Sequence, residues 1–208
     1  MRSAVSFLSS LVLAAILLCA PPAISLGDQL SEAQQIRRDV LEEWRRISNG
    51  RTDFEISDLA LVPNQLALAA KQSGCDYREG IKTAPIHFIR LKDYRLAIVF
   101  CDAIVGWHQV FDLSNLQEPS LVRFPFLAQP KGFGMTTRPG VISFEKETGV
   151  FMAVTGSDLL PSPSVRHTYR FAAPRGFVVV RVEFQQDGLS EWTTLWDAPD
   201  WSFPATTK

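Results

Sequence analysis

The chain has 208 residues, and its 21 lysines and arginines nearly balance its 22 aspartates and glutamates, for a formal net charge of −1. This balance excludes the strongly basic character of proteins that bind nucleic acid or anionic membrane surfaces. We therefore expect no nucleic-acid partner, and membrane contact only during export.

The N-terminus has the pattern of a cleavable signal peptide. One charged residue, Arg2, precedes the apolar run Leu11–Leu18, and Pro21-Pro22 and small residues follow it. The run is shorter than the roughly 20 apolar residues that a membrane-spanning helix needs. We predict that residues 1–25 are removed on export, and that residues 26–208 form a single β-rich domain in the periplasm or outside the cell.

The first part of the predicted domain has helical spacing of its apolar residues. A capping box at Ser31 and a stop at Asn49-Gly50 predict a helix over about residues 31–48. Its apolar stripe consists of Ile36, Val40, Leu41, Trp44 and Ile47. A second, weaker helix is predicted over residues 59–72, interrupted by Pro63.

From Pro85 onward, apolar and polar residues alternate with the two-residue period of strands. The predicted strands follow one another without helices between them, which favours antiparallel pairing. The predicted fold class is therefore mainly β (α+β): an antiparallel meander or sandwich of about 8–9 short strands, preceded by one or two N-terminal helices. Residues 131–134 are expected to form a flexible loop. The predicted strands are Ile86–Leu91, Arg95–Cys101, Ile104–Leu113, Ser120–Phe124, Val141–Lys146, Val150–Val154, Val165–Phe171, Phe177–Gln185 and Leu189–Trp196.

Two cysteines remain once the leader, with Cys19, is removed. A hairpin turn at Lys92-Asp93 would place Cys101 opposite Ala84, within reach of Cys75. An even number of cysteines in an exported chain favours a disulfide between Cys75 and Cys101. Two buried free thiols, or a pair of metal ligands, are the alternatives.

The last predicted hairpin would bring tryptophans and charges onto one face. A turn at Asp187-Gly188 would place Glu183 opposite Trp192 and Val179 opposite Trp196, with Arg181 between them. The residues Trp192, Trp196, Arg181 and Glu183 then form either a platform for binding or a surface covered by the first helix. The platform is our candidate binding site.

The three histidines offer a candidate metal site. His87, His108 and His167 lie on three different predicted strands, and inward-facing histidines can converge on a metal ion. No pair has the spacing of metal ligands in the sequence, so the alternative is three partly buried, hydrogen-bonded side chains. We expect no cofactor.

Three segments carry a resemblance to a known family. These segments are Tyr94–Asp102, Gly106–Phe111 and the stretch from Arg170-Phe171 to Trp192–Asp197. They resemble the bacterial exported family known as domain of unknown function 1176, over about Leu66 to Phe203. The family is longer, richer in cysteine, and has a late Gly-Asp-Cys element that this chain lacks. The resemblance implies an exported, disulfide-linked bacterial protein, but no activity and no site residues.

These observations leave two main hypotheses for the function. The first is a non-enzymatic periplasmic binding or interaction module, from a Gram-negative bacterium, whose partner is an unknown protein or small ligand. The alternative is a small exported hydrolase or metal-dependent enzyme that uses the strand histidines. A third hypothesis, a carrier of a hydrophobic ligand, requires a large apolar cavity. Convergence of at least two histidines on one point would favour the enzyme.

Overall fold

The computed structural model describes residues 26–101, 106–128, 131–155, 163–173, 176–186 and 190–199. The predicted signal peptide and the predicted turn residues Asp187 and Gly188 lie outside the described residues. By its internal contacts the chain divides into two units, Met1–Asp39 and Val40–Lys208. The single domain over residues 26–208 stays a prediction.

Helix α1 spans Leu26–Ser48 and contributes to both units. It begins five residues before the predicted start, because Ser31 is tolerated inside a helix and does not by itself end the preceding turn. The helix ends as predicted, since Asn49 and Gly50 both adopt positive φ angles, 47° and 76°.

The apolar stripe of α1 is only partly buried. In the second unit Val40, Trp44 and Ile47 join the core, whereas Leu41 is 37% exposed. Ile36, in the first unit, is 48% exposed. The stripe that packs is therefore narrower than the sequence pattern suggests.

Helix α2 spans Asn64–Gln72 and confirms the weaker predicted helix. Pro63 immediately precedes it, as expected because proline fits the start of a helix but not its interior. A short 3-10 turn, Leu59–Leu61, precedes it.

The described residues contain twelve strands, more than the 8–9 predicted, and all their pairings are antiparallel, as predicted for a mainly β fold. They are β1 Phe54–Ile56, β2 Ile86–Leu91, β3 Tyr94–Cys101, β4 Trp107–Asp112, β5 Ser120–Leu121, β6 Phe124–Ala128, β7 Gly132–Thr136, β8 Val141–Glu145, β9 Val150–Thr155, β10 Ser164–Ala172, β11 Gly176–Gln185 and β12 Thr193–Asp197.

The strands form two five-stranded sheets and one hairpin. The first sheet has the order β1-β2-β3-β4-β5, the second β12-β11-β10-β9-β8, and β6 pairs with β7. Alternate residues of the first sheet enter different cores. Phe88 and Val99 pack with the helices, whereas Ile98 packs with residues of the second sheet such as Phe151 and Tyr169. In the second unit the first sheet thus lies between the helices and the second sheet.

The predicted flexible loop at residues 131–134 is wrong. Gly132–Thr136 forms strand β7, paired along its length with β6. Glycine is depleted in strands, so the two glycines of this segment did not indicate a strand. Gly134 lies opposite Phe126, and a Cβ at that position would come within 2.9 Å of the Phe126 ring. Glycine is needed here because the aromatic ring covers it.

The disulfide prediction is confirmed. β2 and β3 pair with the register expected from a Lys92-Asp93 turn, since Leu91 lies opposite Tyr94. The sulfur atoms of Cys75 and Cys101 are bonded, and both residues are buried in the core beside the helices. The bond therefore anchors the segment after α2 to the end of β3.

Candidate functional site

The outer face of the second sheet carries the predicted binding residues Arg181, Glu183 and Trp192. Cross-strand partners share a face, and Val182 is fully buried on the opposite, core-facing side. Arg166 on β10 lies opposite Glu183, and its Nε donates a hydrogen bond of 2.8 Å to Glu183 Oε2. The Arg166 guanidinium also lies 4.3 Å from the centre of the Trp192 ring. Trp192, Arg166 and Glu183 thus form one contiguous stack.

A second ion pair lies beside this stack. Arg181 Nε donates to Asp197 Oδ1 at 2.6 Å, and this hydrogen bond raises the pKa of the Arg181 guanidinium. Both groups are about half exposed. Arg170, exposed on the same face, has no carboxylate partner among the described residues.

Apart from Trp192, these side chains line a shallow groove of about 810 Å³, and Trp192 adjoins the groove through its contact with Arg166. We call it the outer-face groove, and its lining residues are Met152, Arg166, Thr168, Arg170, Val180, Arg181, Glu183, Asp197, Ala198 and Pro199.

Trp196 does not share this face, so the predicted register of the last hairpin is wrong. Trp196 lies opposite the buried Val182, not opposite Val179, and its ring packs 5.1 Å from that of Phe133 on β7. The first paired residues are Phe184 and Thr193, which leaves a longer connection than a two-residue turn at Asp187-Gly188. An irregularity between Val182 and Glu183 shifts the pairing further.

His108 connects the two sheets. Its backbone N–H donates to Gly140 O at 2.9 Å, and its Nδ1 accepts a hydrogen bond of 2.9 Å from the Ile142 backbone N–H. Burial lowers the pKa of His108 to about 4, so the ring is neutral near pH 7 and can accept this bond.

His167 on β10 also accepts a hydrogen bond from a backbone N–H. Its Nε2 accepts a hydrogen bond of 3.1 Å from the Leu127 backbone N–H, and burial lowers its pKa as well. Its Nδ1 is buried without a hydrogen-bond partner in the described structure. His167 thus ties β6 to the second sheet.

The structure does not bring the three histidines together as a metal site. His87 lies on β2 opposite Ile98, away from the contacts of His108 and His167. Nδ1 of His108 and Nε2 of His167 already accept hydrogen bonds from backbone N–H groups, so these two nitrogens are not available to bind a metal ion. No group of three His, Cys, Asp or Glu residues within the described ranges is placed to hold a metal ion.

A cleft beside α1 was missed by the sequence analysis. It encloses about 410 Å³ between the second half of α1, the segment after it, and strands β1 to β3. Trp44, Phe54 and Phe88 form its aromatic side, and we call it the arginine-rimmed cleft because Arg45, Arg51, Arg90 and Arg95 also line it. The predicted Lys92-Asp93 turn already implied that Arg90 and Arg95 face each other. Nothing in the sequence indicated that α1 would lie beside them.

No family model matches the chain, and searches of curated proteins and of solved structures return no match. The resemblance to the family of domain of unknown function 1176 therefore stays a prediction. Within the described part of the chain, no helix is long and apolar enough to cross a membrane.

Proposed function

We propose that this chain is an exported, non-enzymatic binding module that contacts a protein partner through the outer-face groove. Export is supported by the sequence of residues 1–25 and is compatible with the disulfide between Cys75 and Cys101. The resemblance to a bacterial exported family supports a periplasmic location in a Gram-negative bacterium. The histidine-based enzyme is not proposed, because no described arrangement of residues favours it.

The stack of Trp192 on Arg166, which is held in turn by Glu183, carries this proposal. Tryptophan and arginine are the residues most enriched among the side chains that dominate binding energy at protein interfaces. Here both are held in place before a partner arrives, which lowers the entropy lost on binding. Exposed Arg170 supplies a positive charge for a carboxylate on the partner.

The test compares capture of periplasmic proteins by wild type, Trp192→Ala and Arg170→Glu. Each variant is expressed with its leader in a Gram-negative host, and N-terminal sequencing of the purified protein should begin near Leu26. Removing the indole should weaken capture of a specific partner at least about tenfold, the effect of losing a side chain that contributes about 1.4 kcal/mol or more. Arg170→Glu should weaken it by charge reversal.

The control is Arg123→Gln, which changes an exposed arginine outside the groove. The melting temperature of each variant shows whether the fold is intact. If Trp192→Ala lowers the melting temperature and leaves capture unchanged, Trp192 is structural and the proposed surface is wrong.

A further inference from the structure

We propose that the arginine-rimmed cleft binds a small amphipathic anion, an apolar chain that carries a carboxylate, sulfate or phosphate head group. This inference is independent of the outer-face groove, with which the cleft shares no lining residue. Its volume of about 410 Å³ falls within the range of about 300–1,000 Å³ that is typical of small-molecule sites.

The floor of the cleft suits an apolar chain. Phe54 stacks on Phe88 with ring centres 4.6 Å apart, and Trp44 meets Phe88 edge-on at 5.7 Å. Leu41 and Leu116 extend this apolar lining. The aromatic rings hold one another in place, so the surface that an acyl chain would cover already exists.

The rim of the cleft suits an anionic head group. Four arginines line it and no aspartate or glutamate does, and none of the three ion pairs among the described residues involves these arginines. The Asp53 carboxylate, which accepts a hydrogen bond from the Arg90 backbone N–H, is paired with Lys146. Arg51 lies over the Phe54 ring at 5.2 Å.

The arrangement of Arg90 and Arg95 strengthens the case. The two residues lie directly opposite each other on β2 and β3, and like charges in that position repel. Arg90 Nε already donates to Lys92 O at 2.9 Å, so an anion between the two side chains would be bound by the terminal nitrogens of Arg90 and by the Arg95 guanidinium. These charge-assisted hydrogen bonds would offset the repulsion.

Trp44 belongs to the packed floor of the cleft. It is only 7% exposed, it lines the cleft, and its indole Nε1 has no hydrogen-bond partner among the described residues. A buried donor without a partner is costly, and most such groups in native proteins are satisfied. The exposed area of this nitrogen is below 1 Å² even though the cleft is open, so the N–H is closed off within the aromatic floor and does not contact a ligand.

Isothermal titration calorimetry with decanoate tests the proposal. Decanol has the same chain without the charge, decyl sulfate has a different anionic head, and acetate has the head without the chain. All are used as monomers with the full-length secreted protein. Decanoate and decyl sulfate should bind saturably at one site. Decanol should bind at least about tenfold more weakly, and acetate should give no measurable binding.

The double variant Arg90→Gln/Arg95→Gln should weaken decanoate binding at least about tenfold. Its melting temperature should change by no more than a few degrees, because the change removes a repulsion together with the exposed hydrogen bond from Arg90 Nε to Lys92 O. Trp44→Phe keeps an aromatic ring in the floor and removes only an N–H that does not face the cleft, so it should bind decanoate within about threefold of wild type. Arg123→Gln, outside the cleft, should bind like wild type.

Three results would overturn the inference. The first is the absence of saturable decanoate binding to the wild type. The second is equal affinity for decanoate and decanol, since the arginines would then play no part. The third is equal weakening by Arg123→Gln and the double variant, which would show that only the net charge matters.

Discussion

Two buried imidazole rings act as hydrogen-bond acceptors for backbone N–H groups. Nδ1 of His108 accepts from Ile142, and Nε2 of His167 accepts from Leu127. A ring nitrogen accepts only while it is unprotonated. These histidines therefore contribute to the fold in their neutral form, and the sequence, which showed only their strand positions, left that role undetermined.

Stability should fall when the protein is acidified through the range in which free histidine titrates. The folded-state pKa of His108, about 4, lies below the ordinary value of 6.5, so the unfolded chain takes up the proton first. The stabilisation is complete above pH 6.5 and is lost as the pH falls toward 4. The loss from His108 should be about 3 kcal/mol, measured as the free energy of urea unfolding at each pH.

His108→Asn provides the matched comparison for this pH profile. The asparagine carbonyl oxygen can accept the bond from Ile142, and it does not titrate in this range. The variant should show a flatter stability profile between pH 6.5 and 4. A slope unchanged from wild type would assign the acid sensitivity to other groups.

At the scale of single elements, hairpins with short turns were predictable and irregular ones were not. The Lys92-Asp93 turn specified the register of β2 and β3, because one residue of slip would exchange their two faces. The last hairpin lacks this simple rule, since a longer connection and an irregularity between Val182 and Glu183 displace Trp196. The sequence pattern therefore placed Arg181 and Glu183 on one face, but it paired Glu183 with Trp192 instead of Thr194 and assigned Trp196 to the wrong face.

The disulfide should make a large contribution to stability. Cys75 and Cys101 are separated by 26 residues, and closing a loop of that length is worth about 3–4 kcal/mol in the chain-entropy model. Reduction should lower the melting temperature by several degrees, measured by circular dichroism with and without reductant. The Cys75→Ser/Cys101→Ser variant should melt at a lower temperature too, and reductant should not shift it further. Two titratable thiols in the native, unreduced protein would contradict the bond.

At the scale of the whole molecule, the sequence predicted the fold class better than the arrangement of its parts. Two-residue alternation indicated strands, and helical spacing indicated α1 and α2. Neither pattern states which helix face covers which sheet. The arginine-rimmed cleft joins α1 and the nearby β1 to strands β2 and β3, which follow α1 by about 40 residues of sequence, so it exists only after tertiary packing.

The junction between the two sheets should tolerate no side chain at Gly140. Its φ is +110°, and a Cβ there would lie 2.2 Å from the Val154 carbonyl oxygen, which belongs to the backbone. Gly140→Ala should cost about 3 kcal/mol or more in the free energy of unfolding, because the backbone that accepts the His108 bond must move.

Gly149→Ala is the control for this prediction. Gly149 also has a positive φ, +66°, but nothing lies within 4 Å of its added Cβ. Only backbone strain remains, so the cost should be about 1–2 kcal/mol in the same urea titration. Equal costs at both positions would show that the crowding at Gly140 is unimportant.

The His108 junction has a further consequence for the free edge of the second sheet. β8 is an outermost strand, and such strands can recruit other chains into intermolecular β-structure. His108 already binds two backbone groups at this edge. They are the carbonyl oxygen of Gly140, just before β8, and the N–H of Ile142, within β8. By engaging these two groups, His108 leaves fewer of them for another chain to pair with. Protonation of Nδ1 at low pH frees the Ile142 N–H while the backbone bond to Gly140 O stays, and it should raise the tendency of this edge to aggregate.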